Sequence, residues 1–340
     1  MIDVLVAGGG PAGLATAIRC AQAGLSVAVA EPRDAPVDKA CGEGISPAAV
    51  TRLAALGVRP AGHPLRGIRY LDASHLADAP FRHGDGLGVR RTTLQAALAA
   101  RAAELSIPVR RARVTSVTQQ DGVITAAGVM TRYLVAADGL HSAVRRACGL
   151  DPPRARHPRF GLRRHYRLAP WSDLVEVHWT AAAEAYVTPI AADLVGVAIL
   201  GGDRGDFASR LAAFPALRSR LAGAEPASEV RGAGPLRQDV PRRRAGNVLL
   251  VGDASGYLDA LTGEGIGVAL AQAEVLAECL ATGRPSDYER AWWRVSRKPW
   301  ALTSALLWAR HQALIAPRIV PAAQRLPRVF TAIVNMAADT

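Results

Sequence analysis

Val4-Leu5-Val6-Ala7-Gly8-Gly9-Gly10-Pro11-Ala12-Gly13 is the stretch whose reading decides the fold. An apolar run of strand type ends at Gly8, where the chain must turn sharply. Gly10 lets the backbone approach a pyrophosphate, and Gly13 lets the alanine-rich helix that follows pack close to the strand. The amides around Pro11 and Ala12 at the helix start then face the phosphates. A second apolar run, Val27-Ala28-Val29-Ala30, ends in Glu31, at the spacing where a carboxylate holds the ribose hydroxyls, with Arg33 close behind. A lone G-x-G-x-x-G is a weak signal. Strand, glycine turn, helix, strand and terminal acid in register predict a dinucleotide-binding unit.

Two later segments carry the same kind of chemistry. Ala137-Asp138-Gly139-Leu140-His141-Ser142 follows the apolar Tyr133-Leu134-Val135-Ala136, and Gly252-Asp253-Ala254-Ser255-Gly256 follows Asn247-Val248-Leu249-Leu250-Val251. A ligand at the carboxyl end of a buried strand fits both places. Each aspartate also reads as a helix cap, and the two roles are compatible. Three further stretches stand out: Lys39-Ala40-Cys41-Gly42-Glu43-Gly44, Gly88-Val89-Arg90-Arg91-Thr92-Thr93-Leu94, and Thr262-Gly263-Glu264-Gly265-Ile266 before a helical run.

Together these segments resemble the fingerprints of the FAD-dependent oxidoreductases typified by p-hydroxybenzoate hydroxylase and geranylgeranyl reductase. The resemblance spans residues 1 to about 283. It implies FAD as resident cofactor, with Asp138 and Gly139 near the flavin and Gly252 and Asp253 on its ribityl and pyrophosphate part. It also implies Arg91 as a cofactor contact, and Gly263, Gly265 and Ile266 at a helix start facing the isoalloxazine. No second dinucleotide fingerprint is present, so NAD(P)H is expected as a transient electron donor. The T-G-E-G-I and K-x-C-G stretches resemble the reductase branch, which makes Cys41 and Glu43 catalytic candidates. The D-G-x-x-S-x-x-R pattern of Asp138 to Arg145 resembles the hydroxylases.

The 340 residues suffice for a substantial core, and half are hydrophobic. No signal-type segment precedes the first strand and no apolar run approaches a bilayer span, so a cytoplasmic protein is expected. Four cysteines, Cys20, Cys41, Cys148 and Cys279, show neither C-x-x-C nor metal spacing, and no metal is expected. A net charge of +12 raises nucleic acid as a partner. The excess is almost all arginine and has no aromatic platform beside it, which argues against that partner.

The expected fold is α/β (α+β overall): a Rossmann-like FAD-binding domain with an inserted antiparallel-sheet substrate domain and a C-terminal helical segment. The first is assigned to residues 1–64, 88–150 and 245–283, the second to 65–87 and 151–244, and the third to 284–340. Alternating stretches between Phe160 and Leu200 read as antiparallel strands forming a wall over the flavin. His165, Tyr166, His178, Trp179 and Tyr186 are candidate substrate contacts there, and alternation puts His165 opposite Tyr166 and His178 opposite Trp179. Tyr186 is the preferred catalytic candidate among them, and a sheet with packed aromatics and solvated histidines is the plain alternative. Trp292, Trp293, Trp300 and Trp308 among basic residues read either as a packed helical cap, which is preferred, or as a membrane-interface surface.

The expected activity is that of an NAD(P)H-using monooxygenase acting on a hydrophobic aromatic, polyketide or prenyl-type molecule. Carbon-carbon double-bond reduction is the alternative chemistry, and a non-catalytic FAD- or lipid-binding module the alternative of another class. Halogenation is disfavoured, because the W-x-W-x-x-P segment of flavin halogenases is absent.

Overall fold

The computed structural model describes residues 1–153, 157–202 and 205–339. Its elements include the strands β1 (Ile2–Ala7), β2 (Val27–Ala30), β3 (Val129–Ala136), β4 (Phe160–Arg167), β5 (Leu174–Trp179), β6 (Ala183–Ala191), β7 (Leu194–Gly201) and β8 (Val248–Leu250). The helices that matter most are α1 (Pro11–Gln22), α2 (Gly265–Ala281), α3 (Tyr288–His311), α4 (Ile319–Arg325) and α5 (Pro327–Ala338).

The first sheet is built around β8-β3-β1-β2 and the short strand Val109–Arg110, all parallel. Continuous apolar runs make these strands because both faces are covered. One face carries Val4, Val6, Val29, Val135 and Leu249 against α1 and α2, and the other carries Leu5, Ala28, Leu134 and Leu250. All four strands end at the same edge, where Gly8, Glu31, Ala137 and Gly252 follow them. The stretch Arg111 to Val117 after the short strand Val109–Arg110 forms no strand, and the helix before it runs Arg91–Glu104.

The second sheet runs β4-β7-β6-β5, continued by Gly67–Leu71 and Leu76–Pro80. Its pairings are antiparallel except one: β5 runs parallel to Gly67–Leu71. Those two strands come from distant parts of the chain, so no hairpin constrains their sense. Tyr166, Val187, Val195 and Val197 pack the outer face with Phe207, Phe214 and Leu217. Val177, Trp179 and Tyr186 pack the inner face with Leu258, Leu261 and residues of α3 and α4. A third, three-stranded sheet of Gly44–Ile45, His63–Leu65 and Gly86–Gly88 lies against β6 of the second. The expected boundaries at 64/65 and 87/88 fall inside its strands.

Two sets of buried polar contacts fasten the C-terminal helices. The Tyr288 hydroxyl donates to the Leu250 carbonyl at 2.7 Å, the Trp292 indole to Ser255 Oγ at 2.9 Å, and the Gln272 amide to Ser296 Oγ at 3.0 Å. Between α3 and the second sheet, Glu184 is wholly buried and takes Arg159 at 2.6 Å and also Arg310, while Arg159 reaches Asp259 at 2.9 Å. Breaking such a group leaves an uncompensated buried charge, at about 3–5 kcal/mol. Glu184→Leu should therefore destabilise the protein by about that amount in urea unfolding; a loss under about 1 kcal/mol would show that these charges are solvated after all.

Candidate functional site

The three glycine segments converge at the strand ends, and the contacts are close. A Cβ at Gly13 would lie 1.9 Å from the Gly8 carbonyl oxygen, and one at Gly8, where φ is +113°, would lie 2.4 Å from the Ala137 oxygen. A Cβ at Gly252 would come within 2.8 Å of the Ala12 methyl. Backbone thus packs on backbone where β1, α1, β3 and β8 meet, and no side chain fits between. α1 starts with Pro11 and has no side-chain cap and no acid in its first turn. Its free amides make an open positive end suited to a pyrophosphate.

Charged side chains ring this floor. Glu31 accepts from the Gly9 amide at 2.8 Å and from the Arg33 guanidinium at 2.7 and 3.0 Å. Burial opposes ionisation of Glu31, but those hydrogen bonds outweigh it and hold the carboxyl below its ordinary range. Arg91 extends to Gly10, whose Cβ would lie 3.4 Å from the guanidinium, and Lys39 reaches across to Gly139, at 2.9 Å by the same measure. Burial first, then repulsion from Arg33 and Arg91, holds the Lys39 ammonium below its usual range. Asp253 is raised by burial against the pull of Arg91, Lys39 and Arg145. A cleft in which two guanidinium groups press on a buried ammonium is one that lowers its energy by taking up an anion.

Asp138 is a helix cap in this structure, its Oδ2 accepting from the Ala143 and Val144 amides at 2.7 and 3.1 Å. Its Oδ1 is buried with no partner, as are Nε of Arg91, Oε1 of Gln95 and both carboxylate oxygens of Glu264. These orphaned atoms line the region where a flavin dinucleotide would supply hydroxyls, phosphates and ring polar groups, so the residues present fit FAD. Arg145, almost wholly buried, ties the segments together through the Leu140 and Ala254 carbonyls at 3.0 and 3.2 Å and Gln238 at 3.0 Å.

The Lys39–Gly44 loop is seated on the inner face of the second sheet. Glu43, at φ 61°, is buried, takes the Arg91 amide on one oxygen at 2.8 Å, and meets His165 Nε2 with the other at 2.5 Å. Thr188 donates to the Gly42 carbonyl at 2.8 Å, and Arg163 binds Asp38 and the Lys39 carbonyl. His165, a candidate substrate contact with solvation as the alternative, is instead fully buried, with Ser228 on its other nitrogen at 2.8 Å. Glu43 has both oxygens committed, so it positions Cys41, whose thiol burial holds in the neutral form near Arg91. Tyr257 senses both Cys41 and Asp253 and stands 3.4 Å from a Cβ built at Gly265, which brings the helix start of Gly263, Gly265 and Ile266 to the same cleft. Tyr186 donates its hydroxyl to the Leu261 carbonyl at 2.6 Å, which fixes it in the wall between the sheet and the 257–261 loop.

Sequence reasoning passed over Lys39, His165 as the partner of Glu43, and Glu264. Burial raises the Glu264 carboxyl to about 8, and it lines a cavity with Tyr257, Thr262, Trp300 and Thr303. The only signal for it was its place inside the T-G-E-G-I stretch.

Gly13→Val should abolish FAD binding, since the side chain would have to enter the contact between α1 and the Gly8 carbonyl. Glu31→Gln keeps that packing and should weaken binding by about tenfold, the loss of one charge-assisted hydrogen bond. Released-cofactor chromatography and FAD titration of the apoprotein measure both, and full FAD occupancy in Gly13→Val would refute the assignment.

Comparison with known proteins agrees with this geometry. The model of the FAD binding domain family matches residues 1–181. A dialkyldecalin synthase of Streptomyces rugosporus is 32% identical over 82% of this chain, which spans 65% of that synthase's length. A menaquinone reductase of Mycolicibacterium smegmatis is 28% identical over 98% of this chain and 90% of its own. The crystal structure of a geranylgeranyl bacteriochlorophyll reductase-like protein from Thermoplasma acidophilum superposes with a TM-score of 0.78 at 20% identity, covering 96% of this chain and 91% of that one, a likeness of fold. With its dinucleotide floor, its cationic cleft and more than half its length matched, this chain belongs to the FAD binding domain family of FAD-dependent oxidoreductases.

Proposed function

We propose that the chain reduces a carbon-carbon double bond of a hydrophobic prenyl- or quinone-type substrate, drawing electrons from NAD(P)H. The observation that carries this reading is Glu264, whose carboxyl burial raises to about 8 beside the cavity lined by Tyr257 and Trp300, where hydride addition to a double bond needs a proton donor.

FAD supplies the hydride when bound and reduced. The α1 amides, Lys39 and Arg91 would hold its pyrophosphate, Glu31 its ribose, and Asp253 its ribityl chain. The cavity beside Gly265 is lined by Tyr257, Leu258, Val268 and Trp300, apolar surface that suits a hydrophobic substrate and excludes water. Adding hydride across a double bond leaves one carbon in need of a proton. Glu264 is the group that holds one at neutral pH: its oxygens are dry and unpaired, and it borders the cavity beside Tyr257 and Trp300. Similarity to a menaquinone reductase over nearly the whole chain supports the same reading.

Monooxygenation is the second reading, favoured by the Asp138–Arg145 pattern, whose arginine the fold buries among the cofactor segments. Labelled dioxygen separates the two. Turnover with NAD(P)H and prenyl, quinone or polyketide substrates should proceed without oxygen, and product mass should rise by two hydrogens with no label. A labelled product would overturn the proposal in favour of the second reading.

The proton source has its own signature. An acid raised to about 8 is protonated below that pH, so the rate should hold through neutrality and fall about tenfold per pH unit above it. Glu264→Gln should lower kcat by about 100-fold and remove that alkaline limb; an unchanged limb would assign it to another group.

A further inference from the structure

The outer side of the C-terminal helices carries a surface that the flavin chemistry does not use. α5 is fixed in rotation on its inner side, where Phe330 and Val334 pack on Ala77 and Ala79, and Asn335 donates to the Pro80 carbonyl at 2.9 Å and accepts the Arg82 amide at 2.8 Å. Its other side therefore faces out by construction. Val329, Ile333 and Met336, spaced four and three apart on one face of α5, are 51, 41 and 49% exposed, and Leu326 just before the helix is 56% exposed. Trp308 at 61% and Leu314 at 76% are likewise exposed, at the end of α3 and in the turn after it. Scattered exposed apolar residues are ordinary, but a stripe of this kind marks a contact surface.

Charge identifies the partner. From Arg290 to Ala338 the sequence has eight Lys and Arg and no Asp or Glu, so this segment holds eight of the twelve net positive charges of the chain. Arg310 is consumed by Glu184 and Arg290 by Asp287. Arg318, Arg325 and Arg328 are exposed around the stripe and have no carboxylate partner among the described residues. A second copy of the chain would set this positive surface against itself, and a nucleic acid has nothing to cover the apolar stripe. An apolar stripe flanked by unopposed arginines matches the headgroup region of an anionic bilayer. Among the described residues no helix is long and apolar enough to cross a membrane, so the contact is one of lying on the surface.

We propose that the outer face of α5, with Leu314 and the flanking Arg318, Arg325 and Arg328, docks the protein on an anionic lipid surface. The proposal is independent of the reaction assigned above. The test is cosedimentation of the FAD-loaded full chain with vesicles of phosphatidylcholine alone or mixed equally with phosphatidylglycerol. Binding should require phosphatidylglycerol, weaken at high salt, and fall about tenfold in Val329→Asp/Ile333→Asp and again in Arg325→Gln/Arg328→Gln, the latter keeping the proposal testable should the first pair fail to fold. Circular dichroism and flavin content should be unchanged in the arginine pair. Absence of binding to the anionic vesicles, binding indifferent to both pairs, or a concentration-dependent dimer in sedimentation velocity that the aspartates abolish would each overturn it.

Discussion

The hydrogen bond between Glu43 and His165 is where the two large sheets of this protein are made to act as one. Neither side chain has water to turn to, so each depends on the other, and the loop from Lys39 to Gly44 follows. That loop delivers Lys39 to the dinucleotide floor and Cys41 to the cleft, and through the Arg91 amide the same carboxylate fixes where the helix bearing Arg91 begins. Glu43 adopts a left-handed backbone at φ 61°, a conformation that costs a non-glycine residue energy and persists only where its surroundings impose it. Here the His165 ring and the Arg91 and Val89 amides, all hydrogen-bonded to Glu43, impose it at once.

Most of the dinucleotide floor was legible because its causes are local. A strand that must end in a glycine turn, a helix that must approach it and an acid at the next strand end leave their marks within about thirty residues. The second sheet was legible as alternation, and the strands found between Phe160 and Gly201 lie where the β-formers cluster. The buried histidine and acid of the cleft were less so, because these groups acquire their properties only from distant neighbours. His165 looks like any half-exposed strand histidine until Glu43 arrives from 122 residues away. Glu264 looks like a charged surface residue in its motif, and becomes a neutral acid only when α3 closes over it. The parallel pairing of β5 with Gly67–Leu71 is likewise invisible in either strand alone, since nothing local sets the sense of two strands joined by a long excursion.

The cleft carries a division of charge that fits a flavin dinucleotide. Cations surround the place where phosphates belong, while the end bounded by Tyr257, Leu258 and Trp300 is more apolar and holds an acid in its neutral form. A dinucleotide with a charged middle and a planar aromatic end has the same division. Each end of the cleft is shaped by its lining: guanidinium and ammonium groups where charge is to be met, buried aromatic walls where it is to be kept out.

The attachment of α3 bears on how the polypeptide can be divided. Its tyrosine and tryptophan bond to Leu250 and Ser255 from behind, and Arg243 stacks on Trp292 at 3.8 Å, so the turn bearing Asp253 is propped by residues well beyond the last cofactor motif. A protein engineer seeking the smallest autonomous flavin module would be misled by the nucleotide-binding motifs, which end near residue 266. The severable unit has to retain the helix through Ser296, and a fusion junction placed earlier would strip the cofactor cradle of its backing while leaving every recognisable motif in place.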